Sequence, residues 1–445
     1  MITHAATLIA LVGLAGAETP TTRAGLRYID YQHGFSLRPP VGAERRRAPS
    51  ATRLVSWRMH DAETGAVLWT LSVHRAVEAR EVEDLSAYAK VLVERLKRGE
   101  GFRVDQAGVV DHGDARAVEL RGVSRGRARF YQRQRWVPAG KRRFILLKLT
   151  GPAGRRDALD AVFEAVAPTL DVVDPATAAR RREKRLDRGR ELLGELDAER
   201  VVAAVHDEPR WFLMRKDDEP VGFLRVVERV ATRRGARGIE VRTWAYVQPT
   251  DAPSRRVRRV LFAAVDRSVE AWTERAWVRQ ADGEDRLAYE IHVVTADDAI
   301  TCRITRHHRG EAQAKRFARK IPPPNRGLYL PQAFTELLPR LVKRDAPQAW
   351  SFATYNAQAN GFDMHTFAVT GPEKIDLGGQ TLPAVRCVEQ RAADRPGATM
   401  WMDEAGLPLR MIDAGGLATV AADKARVREA FGRAERIVAE MGDGE

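Results

Sequence analysis

The chain reads as an α+β protein with two sheet-based parts, and three observations predict this. Apolar and polar residues alternate through most of 28–149 and 211–412, the period of half-buried strands. Two amphipathic helical segments interrupt and close the first alternating stretch, which makes it a β-rich block bracketed by helices. A highly charged segment, 173–196, with helical character separates it from the second. With 44% hydrophobic and 30% charged residues, the composition is that of a folded chain large enough for several domains.

The first seventeen residues form a separate segment. Met1–Ala17 carries no charged side chain, and an apolar run from Ala5 to Leu14 leads into Ala15-Gly16-Ala17 and then Glu18-Thr19-Pro20. A short apolar core with small residues at −3 and −1 is the layout of a secretory leader. The alternative is a buried N-terminal strand or helix of a cytosolic protein. The absence of Lys and Arg here, in a chain dense in them elsewhere, favours export to the periplasm or the extracellular space. The run is shorter than the about 20 residues a bilayer-spanning helix needs. No later stretch is long and apolar enough for a transmembrane helix, and no Cys follows the cleavage point to take a lipid anchor.

Residues 24–172 form the first domain. Short strands are expected at Tyr28–Tyr31, Phe35–Leu37, Leu54–Trp57 and Val67–Val73. Asp84 caps a helix whose Leu85, Tyr88, Leu92 and Leu96 share one face. Strands return at 104–110, 117–120, 127–137 and 144–149, and a closing helix, Asp157–Ala167, buries Leu159, Val162, Phe163 and Val166. The opening Tyr28-x-Asp-x-x-x-Gly34-Phe-Ser-Leu-x-x-Pro40, in this setting, resembles the PsbP/Mog1-like family. That resemblance implies an α/β/α sandwich and a binding or accessory role, with no catalytic residue to carry over.

Asp174-Pro175 opens the linker helix, Ala176–Leu196. Gly189 and Gly194 argue against one unbroken rod. Residues 197–440 then form a β-rich domain with the Leu-rich helix Gln332–Leu341 in its middle and a final helix capped by Asp423. Many short strands with polar turns predict a large antiparallel sheet or a half-open barrel. The stretches Trp211 to Phe223 and Met400 to Arg410 make this domain similar to the outer-membrane lipoprotein carriers (LolA/LolB-like). The resemblance implies a concave face that receives acyl chains.

The aromatic set of this domain is the leading candidate for ligand binding: Trp211, Phe223, Trp244, Tyr246, Trp272, Trp350, Phe367 and Trp401. In a curled sheet these rings line an apolar pocket; in a flat one they are core. Cys302 and Cys387 each lie in a strand pattern. They pair in an oxidising compartment if their strands are neighbours, or stay as two buried thiols.

Catalytic signals are sparse. Gly122-Val-Ser124-Arg-Gly126 matches the nucleophile elbow, but that chemistry needs a strand-to-helix turn and a strand pattern follows here. His307-His308 point to opposite faces of a strand and cannot share an ion. The acidic pairs Asp217-Asp218 and Asp297-Asp298 read as turns. No metal site, cofactor motif or nucleotide loop is expected.

Net charge is +14, and the excess sits in the first half: 27 basic against 18 acidic residues over 24–172, but 39 against 36 over 197–445. Outside the cytoplasm such a surface meets anionic envelope polymers or lipid, Arg180–Arg185 of the linker being the densest run. Arg127, Arg129, Arg133 and Arg135 alternate with Phe130, Tyr131 and Trp136, a pattern that can bind single strands. An exported protein meets little nucleic acid, and a solvated Arg face over aromatic core is the plainer account.

The sequence thus predicts an exported, non-catalytic binding or accessory protein with a hydrophobic or lipidic ligand or an envelope protein partner. The alternatives are a hydrolase using Ser124 and a structural scaffold. N-terminal sequencing of the mature protein is expected to begin at Glu18; recovery of the intact Met1 form from the cytosol refutes export.

Overall fold

The computed structural model describes residues 25–441, apart from 26, 31–32, 47–51, 62, 100, 125–128, 217, 249–251, 309–310, 393–396 and 414. The expected leader, 1–17, lies outside them. The chain has an α+β fold in two compact units that divide between Arg182 and Glu183.

The N-terminal unit contains β1 (Tyr28–Asp30), β2 (Phe35–Leu37), β3 (Glu44–Arg46), β4 (Arg53–His60) and β5 (Val67–Val77). Helix α1 (Leu85–Gly99) is followed by β6 (Phe102–His112), β7 (Ala115–Ser124), β8 (Phe130–Pro138) and β9 (Arg143–Pro152). Helix α2 (Arg156–Val166) and β10 (Asp171–Val172) close it. Seven strands form an antiparallel sheet in the order β3-β4-β5-β9-β8-β7-β6, beside a small sheet β1-β2-β10.

Strand alternation sends Trp69, Leu71, Val73, Ile145, Leu147 and Leu149 to one face, where Leu159, Val162, Phe163 and Val166 of α2 cover them. Phe144, Leu146, Val118 and Leu120 point the other way and meet Tyr88, Leu92 and Leu96 of α1. The helical periodicity therefore places one helix on each side of the sheet. Asp84 Oδ1 caps α1 by accepting from the amide of Ser86 at 2.7 Å.

Helix α3 (Pro175–Glu195) runs unbroken, contrary to the expectation from its glycines. Gly189 is there for close approach: a Cβ at this position would stand 2.2 Å from the Ser351 carbonyl oxygen.

The C-terminal unit continues with α4 (Ala198–Ala203), β11 (Arg210–Lys216), β12 (Glu219–Arg233), β13 (Ala236–Val247), β14 (Arg255–Ala264) and β15 (Val269–Arg279). Next come β16 (Asp285–Ala296), β17 (Ala299–His308), β18 (Glu311–Lys320), α5 (Pro323–Arg326) and α6 (Gln332–Leu341). The last part comprises β19 (Gln348–Asn356), β20 (Gly361–Leu377), β21 (Gln380–Gln390), β22 (Ala398–Met402), β23 (Pro408–Ile412) and β24 (Ala418–Ala422). Two helices end it, α7 (Lys424–Ala430) and α8 (Ala434–Glu440). A single final helix was expected; the break at Phe431–Arg433 contains Gly432, and α7 ends where Phe431 leaves helical geometry.

All fourteen strands join one open antiparallel sheet, ordered β18 down to β11 and then β24 down to β19. Every neighbour in this list is also a neighbour in sequence except the β11–β24 pair, which aligns Trp211 with Ala422 and Arg215 with Ala418. The two edges, β18 and β19, are thus close in sequence, on either side of α6.

The sheet wraps around α6, because strands far apart in its order all reach that helix. Phe334, Leu337, Leu338 and Leu341 join the main core with Leu224, Ile239, Leu261, Trp272, Phe367 and Met402. Three residues at four-residue spacing form a polar stripe along the same helix. The Gln332 backbone N–H donates to Glu270 Oε1 on β15 at 2.7 Å, and its side-chain amide donates to the Tyr355 carbonyl on β19 at 3.1 Å. Glu336 faces Arg391, just past β21, at 3.5 Å. Arg340 donates to Glu228 Oε1 on β12 at 2.8 Å. Arg200 of α4 adds a bond to the Leu341 carbonyl at 2.7 Å, a cation on the helix C-terminus.

Breaking a buried ion pair leaves a stranded charge and costs about 3–5 kcal/mol. Glu228→Ala is therefore expected to cost about that much in urea unfolding, and the exposed-side Glu290→Ala under about 1 kcal/mol. Equal costs for the two would show that the α6 anchors do not fix the fold.

Candidate functional site

The eight candidate rings do not line one cavity. On β13, Ile239, Val241 and Ala245 point toward α6, so Trp244 and Tyr246 point away. Trp272, Trp350 and Phe367 belong to the core around α6. Phe223, Trp244 and Tyr246, with the partly buried Trp211, instead pack on the outer face against Phe431, Val427, Ile437 and Val438 of the C-terminal helices. Phe223 lies 5.7 Å from Phe431, centroid to centroid. Trp401 belongs to neither group and donates its indole N–H to Glu373 at 3.1 Å. The face expected to receive acyl chains is filled by α6.

A cleft of about 780 Å³ does open on the C-terminal unit. The first residues of β11, the β22–β23 turn, the end of β24 and the two C-terminal helices build it. Its apolar lining includes Trp211, Pro408, Leu409, Ala422 and Val438, and its charged lining Glu208, Arg225, Asp403, Lys424 and Glu435. Asp423 caps α7 by accepting from the Arg426 amide at 2.7 Å, which fixes Lys424 at the mouth. Lys424 and Arg428 both pair with Glu435, and their hydrogen bonds hold its carboxyl below the usual range.

From the cleft a ladder of rings and guanidiniums crosses the outer face. Register places Trp211, Arg225, Trp244 and Arg258 opposite one another on β11 to β14. The Arg225 guanidinium sits 5.6 Å from the Trp211 ring and 4.9 Å from Trp244, a cation between two π faces. Sequence reading found Trp211 and Trp244 but missed Arg225, whose role appears only once the strands are in register.

Further shifted groups of the C-terminal unit lie inside the sheet. Glu270 is 1% exposed, and burial pushes its carboxyl up to about 7. The Tyr329 hydroxyl at 2.5 Å and the Gln332 amide oppose that rise. Arg259 pairs with Glu274 at 2.8 Å, and the Tyr289 hydroxyl donates to the same carboxylate at 2.7 Å. Glu389 is also buried, yet the adjacent Arg391 and His365 hold its carboxyl well below the ordinary range. Each of these carboxylates has its partners within the core, and none of them lines the cleft beside Trp211.

The remaining sequence candidates resolve plainly. Cys302 and Cys387 are free and buried, on β17 and β21, which are not neighbours in the sheet. Of the two arrangements left open, the structure has the second, two thiols in the core. Ser124 ends β7 of a β7–β8 hairpin, and its oxygen accepts from the Phe130 amide at 2.9 Å. The adjacent Gly122 serves strand contact, since a Cβ there would meet the Arg103 carbonyl oxygen at 2.0 Å.

Arg133 and Arg135, expected on a solvated face, are buried. Both bond Glu119, and both lie over the Phe163 ring, at 4.7 and 5.6 Å. That ring and carboxylate draw the guanidiniums under α2, so they cannot track phosphates. Arg127 lies outside the described residues. Asp297 and Asp298 take left-handed backbone angles in the β16–β17 turn. Among the described residues no group of His, Cys, Asp and Glu could hold a metal ion, and no helix is long and apolar enough to cross a membrane.

No family model matches this sequence, and no curated protein aligns with it. Solved structures that resemble parts of it include two of note. One is the solution structure of cyanobacterial PsbP (CyanoP) from Synechocystis, at 17% identity and a TM-score of 0.27, covering 36% of this chain and 98% of that one. The other is a beta-barrel-like protein from Brucella abortus, a domain of unknown function, at 10% identity and a TM-score of 0.33. It covers 48% of this chain and 95% of its own. The resemblance of the second domain to outer-membrane lipoprotein carriers is not shown by either likeness.

Glu270 gives the unit a distinctive pH response. Below about pH 4.5 its carboxyl is protonated whether the chain is folded or not; between there and about 7 only the folded state keeps the proton. Stability therefore falls as pH rises through that window, by on the order of 3 kcal/mol, and levels off above it. Chemical denaturation from pH 4.5 to 8 is expected to show this slope in wild type and to lose it in Glu270→Gln. An unchanged slope in the variant refutes the assignment.

Proposed function

We propose that this chain is an exported, non-catalytic binding or accessory protein whose C-terminal unit holds an amphipathic, lipid-like molecule in the cleft beside Trp211. The observation that carries this reading is the cleft itself. Its volume lies within the range of small-molecule sites, and it joins an apolar wall to a charged mouth. Such a site suits a molecule with a greasy body and a polar head, the tail against Trp211, Leu409 and Val438 and the head near Arg225 and Lys424. Export is supported by the leader pattern of Met1–Ala17, and an envelope ligand or partner follows from it.

A non-catalytic role is supported by where the polar groups are spent. The pKa-shifted carboxylates are consumed as core cross-links, and the Ser124 oxygen accepts a backbone bond within a hairpin. The lipid reading no longer relies on the face of the sheet around α6, which the helix fills.

Organic extraction of the natively purified protein, followed by mass spectrometry, is expected to release a single-chain amphiphile. Adding such a molecule at a hundredfold excess over its Kd stabilises the fold by about 2.7 kcal/mol. Val438→Asp and Trp211→Ala are expected to abolish or weaken that gain, whereas Cys302→Ser, inside the core, leaves it in place. No extractable ligand, together with no stabilisation by fatty acids or lysolipids, overturns the reading.

A further inference from the structure

The far edge of the large sheet carries a second surface, independent of the cleft. β18 is the terminal strand in the sheet order. Among the described residues its outer edge makes no backbone hydrogen bond beyond those to β17. Nine of its ten residues are exposed, and only Phe317 is half-buried. A strand so exposed is held by its ladder to β17 rather than by burial, and it offers a row of backbone donors and acceptors to any further strand.

The side chains on this edge are basic on both faces. Lys315 stands opposite Ile304 on the face that turns toward the core, where Arg319, opposite Ile300, donates to the Asn360 carbonyl at 2.6 Å. Arg316 and Lys320 stand opposite Arg303 and Ala299 on the other face. Glu311 is the strand's sole acid. Among the described residues no carboxylate lies within ion-pair distance of Arg303, Arg306, Lys315, Arg316 or Lys320. Elsewhere on the same sheet Arg275 is matched by Glu290 and Arg229 by Glu240, so the concentration of unmatched cations on β17 and β18 is the distinguishing feature of this edge. Arg303 and Arg316 even face each other directly across the β17–β18 ladder, a like-charge pair that an isolated sheet disfavours.

We propose that the outer edge of β18 takes up an extended acidic polypeptide as a fifteenth strand. The alternation decides the occupant. An added strand sends its side chains to both faces in turn, which matches cations on both faces. A bilayer or a nucleic-acid duplex would meet only one of them. A second copy of this chain paired through the same edge would set cations against cations. The acidic strand supplies the missing countercharge and satisfies the open backbone groups together.

The test uses the mature full-length protein and a fluorescent ten-residue peptide of glutamates and β-branched residues, with glutamates on both faces. Anisotropy is expected to show binding that weakens as salt rises. N-methylating alternate peptide amides blocks edge pairing in one register, so one of the two methylated peptides is expected to lose binding. The triple variant Lys315→Glu, Arg316→Glu, Lys320→Glu is expected to bind at least tenfold more weakly, whereas Lys97→Glu on α1 is unchanged. The neutral Lys315→Gln, Lys320→Gln variant falls between them, and thermal unfolding of each confirms its fold. Equal binding of both methylated peptides, or of the triple variant, overturns the proposal. So does tighter binding to phosphatidylglycerol vesicles or to a single-stranded oligonucleotide. Trp211→Ala leaves this binding intact, so its outcome is separate from that of the cleft.

Discussion

The polar stripe on α6 is the constraint from which the C-terminal unit takes its shape. A fourteen-stranded sheet with a hydrophobic face can stay flat, split or curl. Here Gln332, Glu336 and Arg340 draw β15, the end of β21 and β12 onto one helix. Leu-rich packing alone is non-directional and would let the helix slide or rotate. The buried polar contacts fix its register, because a half-turn error would leave carboxylates and guanidiniums stranded in the core.

The same constraint separates structure from function in this molecule. Once α6 fills the inner face, the rings there pack as core, and the cleft beside Trp211 opens on the outer face. There the C-terminal helices cover Phe223 and Tyr246 but leave Trp211 lining a cleft. Both proposed interaction surfaces thus sit where the sheet escapes its own helices. The titratable groups with unusual environments belong to the scaffold. Glu270 shows why a shifted carboxyl alone is weak evidence for catalysis: its neighbours are its hydrogen-bond partners within the core.

Much of the fold was legible because the local signals were strong. The apolar faces of α1 and α2 and the alternation of β5 and β9 fall where expected, as does α6. β18 was missed because its ten residues include one large apolar side chain, Phe317, so neither period nor burial marks it as a strand. The rings of the candidate site were each visible, but strand parity says only that Trp244 and Ala245 point opposite ways, not which way is inward. That answer depends on where α6 lies. The distance between Cys302 and Cys387 likewise depends on sheet order, which no local pattern encodes.

The sheet order also bears on how the chain is made. Strands β12 to β18 and β20 to β24 each zip onto the strand just synthesised, but β11 waits for β24, some two hundred residues later. Until the ribosome releases that last strand, the first hairpin of the unit presents a bare, apolar rim. Loop closure over so long an interval is slow relative to local pairing. Newly made chains therefore pass through a stage with a sticky margin, and a chain cut short before residue 418 would never leave it.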